Sequence, residues 1–337
     1  MAVRSRRALA GLVLTFTVLV GGCSSADPAS TTPTTEARAV EPAVSPPLSI
    51  APAGTVVPAG PAAQGVAVDP STGVVAVGQV GGADLFDEEG HHLAAVSLPS
   101  APRHIGLLAP GGPFQVPAEA SARIAYVAEP SGGILAGVPT GVMPHDVATA
   151  QGAVFVGNEH DSTMTVIRGM APVATIPVAT QPGGLATIGP DVAVVAVRAR
   201  RLQLFDATTL RLVADVPVGN GPSHVVSFGN ELYVADTGGT HLRVFTTVPR
   251  LHELGSVTVP ASPLGMAVDV TGARLWVTCT AGNRLVELTL TGRMPRVVAN
   301  FPTAREPDTV AVDPVTHTVF VVGVRPGRLE IIHPPQG

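Results

Sequence analysis

Short apolar runs alternate with turns that contain Gly, Pro or Asp from about residue 48 to the end of the chain. Runs such as residues 192–197 show little alternation of polar and apolar side chains, which indicates strands covered on both faces. A helical interpretation is disfavoured because Pro or Gly stands at the boundaries between the runs. The pattern therefore predicts many short, buried β-strands.

The runs belong to a repeat of about 40 residues. Each copy begins with a proline that is followed, two residues later, by an apolar strand, and Ala63 takes the place of the proline in the first copy. The prolines are Pro102, Pro144, Pro182, Pro222, Pro263 and Pro307. This period, with several short strands in each unit, is typical of propeller blades. We predict an all-β fold, a seven-bladed β-propeller of four-stranded antiparallel blades.

The fourth copy shows the predicted blade most clearly, with strands over residues 184–187, 192–197, 202–206 and 212–217. The second copy departs from this division. Residues 110–122 resemble an insertion between its first two strands, and little sequence remains for its fourth strand.

The ends of the repeats indicate how the ring closes. The fourth strand of a copy ends in an apolar residue followed by proline, and this ending first occurs at Val57-Pro58, before any complete copy. The last copy stops after its third strand. We therefore expect the segment around Val57 to pair with the C-terminal strands in one shared blade, which leaves no open sheet edge.

The N-terminus resembles a bacterial lipoprotein signal peptide over residues 1–22. Three arginines precede an apolar stretch over residues 8–20 that is short for a membrane span, and two glycines precede Cys23. The resemblance implies a diacylglyceryl group, with palmitate among its chains, on Cys23. The alternative is a signal anchor with an incidental cysteine. A partial twin-arginine motif at residues 5–9 leaves the export route open.

The domain prediction follows from this N-terminus. Residues 23–47 are a lipidated cysteine and a disordered Ser/Thr/Pro-rich tether, and residues 48–337 are the propeller. We expect the protein on the extracytoplasmic face of the cell membrane, held by its lipid anchor. Cys279 is the other cysteine, so no internal disulfide is expected, and its strand-like surroundings predict a buried, inert thiol.

The formal charge of −5 becomes −8 without residues 1–22, because that segment holds three arginines and no acidic residue. A mildly acidic surface argues against a nucleic-acid partner. We expect a monomer.

Two blade segments carry a family resemblance. Residues 231–236 (Glu-Leu-Tyr-Val-Ala-Asp) and 154–158 (Val-Phe-Val-Gly-Asn) resemble the YVTN-type repeat of surface-layer and YncE-like envelope proteins. The resemblance covers roughly residues 55–333. It implies the propeller fold, and for function it implies a binding platform, a scaffold or, in some cases, an enzyme.

Candidate chemistry lies where the innermost strands begin, because these strands surround the central channel of a propeller. Polar residues at or just before these positions predict a polar mouth above a narrow apolar throat, and the loops between second and third strands should reach the same face. The candidate ligand-binding residues are Arg103, His104, His145, Asp146, Glu159, His160, Asp161, His224 and Asp308.

The histidines and Asp146 have the chemistry of metal ligands, but side chains separated by water explain them equally well, and we assign no metal or cofactor. No nucleophile elbow or phosphate loop occurs in the sequence. Two functions stay open. One is an envelope module that binds a protein, peptide, glycan or small molecule, and the other is a lyase or hydrolase that uses the His and acid residues of the mouth, with or without a metal ion. Convergence of His104, Asp146 and His224 within about 4 Å would favour the enzyme.

Overall fold

The computed structural model describes residues 38–335, and the signal peptide, Cys23 and most of the predicted tether lie outside this range. Within it the chain forms seven four-stranded antiparallel sheets. No helix among the described residues is long and apolar enough to cross a membrane. The predicted all-β, seven-bladed propeller is thereby confirmed.

The strands follow chain order within the blades. Blade 1 holds β2 (Val66–Val68), β3 (Val75–Gln79), β4 (Gly82–Phe86) and β5 (His92–Ser97). Blade 2 holds β6 (Gly106–Leu107), β7 (Phe114–Ala118), β8 (Arg123–Val127) and β9 (Ile134–Pro139). Blade 3 holds β10 (Pro144–Ala150), β11 (Ala153–Asn158), β12 (Thr163–Arg168) and β13 (Ala171–Pro177). Blade 4 holds β14 (Pro182–Ile188), β15 (Asp191–Ala196), β16 (Arg201–Asp206) and β17 (Leu212–Pro217).

The remaining blades complete the ring. Blade 5 holds β18 (Pro222–Phe228), β19 (Glu231–Asp236), β20 (His241–Thr246) and β21 (His252–Thr258). Blade 6 holds β22 (Pro263–Asp269), β23 (Arg274–Cys279), β24 (Arg284–Thr289) and β25 (Arg296–Pro302). Blade 7 holds β26 (Pro307–Val312), β27 (Val319–Gly323), β28 (Arg328–Ile332) and β1 (Thr55–Pro58). Short 3-10 turns occupy Glu119–Ser121 and Thr280–Gly282.

Ring closure follows the prediction. β1 pairs antiparallel with β28, and Val57 lies opposite Leu329. The side chain of Val57 packs against the buried cluster that contains Phe320 and Ile331. The last blade is therefore built from both ends of the described chain.

The core is divided among the gaps between blades. Each of seven apolar clusters in residues 38–335 combines side chains from two neighbouring blades, as in the cluster of Phe155 and Met164 with Val194 and Phe205. This packing covers both faces of every sheet, which explains the weak alternation of the sequence. Cys279 is buried within one of these clusters, and burial raises the pKa of its thiol to about 12. The prediction of an inert thiol agrees with this surrounding.

Blade 2 differs from the sequence interpretation. Residues 110–122, expected to be an insertion, contain strand β7, and β9 is a complete fourth strand. The irregular element is the innermost strand β6, which has two residues and pairs only with Phe114 and Gln115. The prolines of this segment suggested a loop, but Pro117 lies in β7 beyond the end of β6. The expected insertion was therefore wrong.

Candidate functional site

A small cavity of about 160 Å³ lies at the mouth of the channel, where the innermost strands begin. Its wall combines Arg103, His104, His145, His224 and Asp308 with Gln64, Glu159, Gln181 and Ser223. Glu159 belongs to the loop between the second and third strands of blade 3, as expected of a loop that reaches this face. A second cavity of about 310 Å³ lies below, in the apolar throat, and His104 and His224 line both.

Three imidazoles converge at the mouth. His104 precedes β6, His145 lies in β10 and His224 lies in β18, so three blades supply them. The Nε2 atoms of His104 and His224 are 2.9 Å apart, and the ring centroids of His104 and His145 are 4.6 Å apart. One ring nitrogen from each of the three lies within 4.8 Å of the others. Of the two alternatives that the sequence left open for these histidines, the structure does not show side chains separated by water, because the rings are in contact.

A close approach of blades places His224. Gly184 starts the apolar part of β14, and a Cβ atom at this position would lie 2.7 Å from the Cα atom of His224. Only glycine lets the two backbones come this near without displacing one of them. The absence of a side chain at Gly184 of blade 4 therefore allows His224 of blade 5 to lie close to the central axis.

Hydrogen bonds set the orientation of two rings. Nδ1 of His224 lies 3.2 Å from the carbonyl oxygen of Leu264, and a carbonyl only accepts, so this nitrogen carries the proton. Nε2 of neutral His224 is then an acceptor, and His104 donates to it. Nδ1 of His145 lies 3.3 Å from Oε1 of Glu119. Both arrangements direct Nε2 towards the centre of the cluster.

Burial also fixes the charge of the histidine pair. It lowers the pKa of His224 to about 3 and that of His104 well below its ordinary value, and repulsion from the neighbouring imidazoles adds to the shift. Both rings are therefore neutral at pH 7, and each has one ring nitrogen that carries no proton.

Arg103 forms an ion-pair network beside the histidines. Its Nε donates to Glu119 over 2.7 Å, and its Nη2 donates to Glu159. Burial by itself would lower the pKa of the guanidinium, but the two carboxylates raise it above its ordinary value. Burial would raise the pKa of Glu159, but the charges of His145 and Arg103 lower it. Arg103 is thus neutralised by protein groups and serves to fix both acids.

Asp146 does not join the histidines at the mouth. It lines the throat cavity, and its carboxylate accepts backbone hydrogen bonds from Val147 (2.8 Å) and Leu185 (2.7 Å). Burial raises its pKa to about 6 although these bonds oppose the shift. The expected position of Asp146 at the mouth is corrected by this placement, and its oxygens already stabilise neighbouring backbone.

The other candidates divide into two groups. Asp308 lines the mouth cavity, and burial raises the pKa of its carboxyl group to about 7. His160 and Asp161 are exposed and lie outside the cavity wall. Asp161 accepts hydrogen bonds from the Val142 amide (2.8 Å) and the Thr163 hydroxyl (2.7 Å), so it orders a turn.

Two polar residues of the site, Glu119 and Gln181, were not predicted from the sequence. Glu119 lies in the 3-10 turn that follows β7, within the segment interpreted as an insertion. Gln181 donates to Glu159 over 2.7 Å and directly precedes the repeated proline of blade 4. Residues before this proline recur with positive φ, as at Met143, Gln181 and Ser262. A comparison of this position among the repeats is the signal that would have found Gln181.

Residues 39–46, here called the mouth segment, lie across this face, although the sequence placed them in a structureless tether. Residues 39–42 line the cavity, and Ser45 is 2 % exposed. The backbone amide of Ala43 donates to the hydroxyl of Ser262 (2.9 Å), and the carbonyl of Ser45 accepts from the guanidinium of Arg305 (3.0 Å). The last part of the predicted tether is therefore bound to the propeller.

Comparison with known proteins supports the fold. No protein-family model and no curated protein sequence matches the chain. Among solved structures, a chain of the mitotic checkpoint complex has a TM-score of 0.73 at 12% identity and covers 97% of this chain and 100% of its own.

Two further structures give the same result. Hydrazine synthase from Kuenenia stuttgartiensis has a TM-score of 0.71 at 13% identity over 82% of this chain and 96% of its own. The β-propeller domain of Cps50 (Swd1) from Myceliophteria thermophila has a TM-score of 0.69 at 14% identity, over 83% of this chain and 99% of its own. At these identities the likeness concerns architecture alone, and it identifies the chain as a β-propeller.

Proposed function

We propose that this protein is a lipid-anchored propeller of the cell envelope that binds an extended polypeptide segment of a partner across its channel mouth. It acts as a binding or scaffold module of the YVTN type, held at the membrane through Cys23. The observation that carries the proposal is the mouth segment, an extended stretch of the chain itself that this face already accommodates.

The contacts of the mouth segment are of a kind that any peptide offers. Backbone atoms make most of them, including the Ser45 carbonyl with Arg305 and the Pro46 carbonyl with the Asn283 amide (3.1 Å). The side chain of Val40 rests on Gly221 and Gly238, where no Cβ atom takes up space. Recognition through backbone groups and shallow apolar contacts is typical of surfaces that bind extended peptides.

The mouth segment is held weakly enough to be displaced. Of residues 38–47, only Ser45 is buried, and Glu41, Ala43 and Val44 are exposed. A partner segment must therefore replace a small number of hydrogen bonds, each contributing about 1 kcal/mol. It must also compete with the high effective concentration of the mouth segment, which belongs to the same chain as its binding surface. Propellers from protein assemblies, such as the mitotic checkpoint complex, support a role in protein binding by analogy of fold.

A labelled peptide of residues 38–47 tests the surface directly. It should bind a variant that lacks residues 24–46, and it should bind the full chain at least tenfold more weakly because the mouth segment competes. In the variant that lacks residues 24–46, combined Arg305→Ala and Asn283→Ala should abolish binding of the peptide. In the same variant, His91→Ala with His92→Ala, on an outer strand and turn, should leave binding of the peptide unchanged. Equal binding to all four proteins would refute the peptide site.

Capture from native envelopes tests the role in the cell. A partner retained by the wild type and by the outer His91/His92 variant, but lost from the Arg305/Asn283 variant, would support the proposal. A partner retained equally by all three would place the binding surface elsewhere.

The second candidate is a lyase or hydrolase, and the contact between His104 and His224 favours it. The third member of the expected group, Asp146, is turned into the throat with its oxygens bonded to backbone amides. An acid–base mechanism would instead need Asp308, or Glu119 and Glu159, which Arg103 holds as ion-paired carboxylates. We therefore place binding first.

A further inference from the structure

We propose that His104, His145 and His224 form a binding site for one divalent transition-metal ion such as Zn²⁺ or Cu²⁺. The proposal goes beyond the peptide-binding function and does not depend on it. It rests on three features of the mouth, namely the spacing of the ring nitrogens, the groups that hold the opposite nitrogens, and the composition of the surrounding cavity.

The spacing of the nitrogens suits a shared ion. Two imidazole nitrogens bound at 2.0–2.1 Å lie about 2.9 Å apart for a 90° angle and about 3.4 Å apart for a tetrahedral angle. The Nε2 atoms of His104 and His224 are 2.9 Å apart. An ion that binds both takes the place of the hydrogen bond between them, and the Nε2 proton of His104 moves to its Nδ1. One ring nitrogen from each of the three histidines lies within 4.8 Å of the others, so a movement of His145 by at most about 1.5 Å completes a three-nitrogen face.

The opposite nitrogens are held as in histidine metal sites. A ligating histidine typically donates its other ring N–H to a carboxylate or a backbone carbonyl, which fixes the tautomer and directs the lone pair towards the ion. His145 faces Glu119 (3.3 Å) and His224 faces the carbonyl of Leu264 (3.2 Å) through Nδ1. Arg103 in turn holds Glu119 over 2.7 Å. This outer set of contacts is already in place on two of the three ligands.

The cavity leaves room for further ligands. Its volume of about 160 Å³ accommodates a few water molecules, each of which takes about 30 Å³ in the liquid. Glu41 of the mouth segment and Glu159 also line it, so oxygen ligands are near. A set of three imidazole nitrogens favours Zn²⁺, Cu²⁺, Ni²⁺ or Co²⁺ over Mg²⁺ and Ca²⁺, which prefer sets of oxygen ligands.

A metal titration of the full-length protein, purified in detergent and stripped with a chelator, tests the site. We expect one equivalent of Zn²⁺ per chain by calorimetry, competition by Co²⁺ with visible absorption bands, and no competition by a large excess of Mg²⁺. His104→Ala and His224→Ala should each weaken Zn²⁺ binding at least 100-fold. Glu119→Gln should weaken it 10- to 100-fold through His145.

The matched control is His91→Ala with His92→Ala, because Asp87, Glu89 and His91 form a second, exposed group with ligand spacing. Unchanged affinity in this control supports the mouth site, whereas loss of binding there, or affinity retained in His104→Ala, overturns the proposal. Should the alanine variants fail to fold, chemical modification of the wild-type histidines decides. Zn²⁺ should protect His104, His145 and His224, and equal modification with and without Zn²⁺ would refute the site.

Discussion

Glu330 offers a single-residue test of how the ring closes. Its carboxylate lies in β28, is 0 % exposed, and accepts hydrogen bonds from the Gly54 amide (2.9 Å) and the Ala304 amide (2.7 Å). One side chain therefore joins the entry to β1, the connection between blades 6 and 7, and the last strand. Replacement by alanine removes both acceptors without changing the length of the chain.

The expected cost follows from the two amides. Each buried N–H that loses its partner costs about 1–3 kcal/mol, and the alanine also leaves a cavity. Part of this cost is offset, because burial raises the pKa of Glu330, which shows that its charge is held at a penalty. We therefore expect Glu330→Ala to lower the free energy of unfolding by about 3 kcal/mol. At roughly 2 °C per kcal/mol for a domain of this size, the melting temperature should fall by about 6 °C.

Calorimetry at pH 7 measures this difference. Glu330→Gln, which keeps one carbonyl acceptor, should lie between the wild type and the alanine variant. Glu253→Ala, which removes an exposed partner of Arg243, should change the melting temperature by less than about 2 °C. A melting temperature of Glu330→Ala within 1 °C of the wild type would show that β1 and β28 are not coupled through this carboxylate.

Three further predictions concern the N-terminus and the pH response. Deleting residues 24–46 should lower the melting temperature by a few degrees at most. Extending the deletion through Pro58 should lower it much further, because β28 then becomes an open edge. Equal melting temperatures of the two variants would contradict ring closure through β1. Radiolabelled fatty acid should enter the wild type and not Cys23→Ala. Burial and the neighbouring Asp69 raise the pKa of Glu129 to about 8, so the folded state keeps a proton that the unfolded chain loses near pH 4.5. Stability should therefore fall as pH rises from about 5 to 8, and the loss should be smaller in Glu129→Gln, as thermal melts at both pH values would show.

The sequence predicted the fold well because each blade repeats the same local chemistry. A proline starts the innermost strand, β-branched residues fill the sheet, and turns contain Asp or Gly, as where the Asp69 carboxylate accepts from the Ser71 amide (2.8 Å). The prediction failed in blade 2, where the prolines of residues 110–122 suggested a loop. Proline content could not show that β6 is too short to reach Pro117.

The site was predictable only where it follows the repeat. His104, His145 and His224 were found because each stands at the start of an innermost strand, and all such positions point to one axis. Glu119 was missed because its 3-10 turn, which joins the second and third strands of blade 2, lies in the segment that was interpreted as an insertion. The mouth segment was missed because polar and backbone contacts bind it, and such contacts leave no hydrophobic pattern in the sequence.

The shared blade 7 also sets the order in which the molecule can be completed. Gly54 and Glu330 are separated by 276 positions, so β1 must wait until β28 has been synthesised before the two strands can pair. Blades 1 to 6 each use consecutive residues and can form as the chain emerges, but they make an arc whose two end blades each leave one apolar face uncovered. During this interval these apolar faces are exposed to association with other chains. A chain interrupted before β28 would remain in that state, and ring closure is therefore the step at which chaperones or aggregation would compete for the protein.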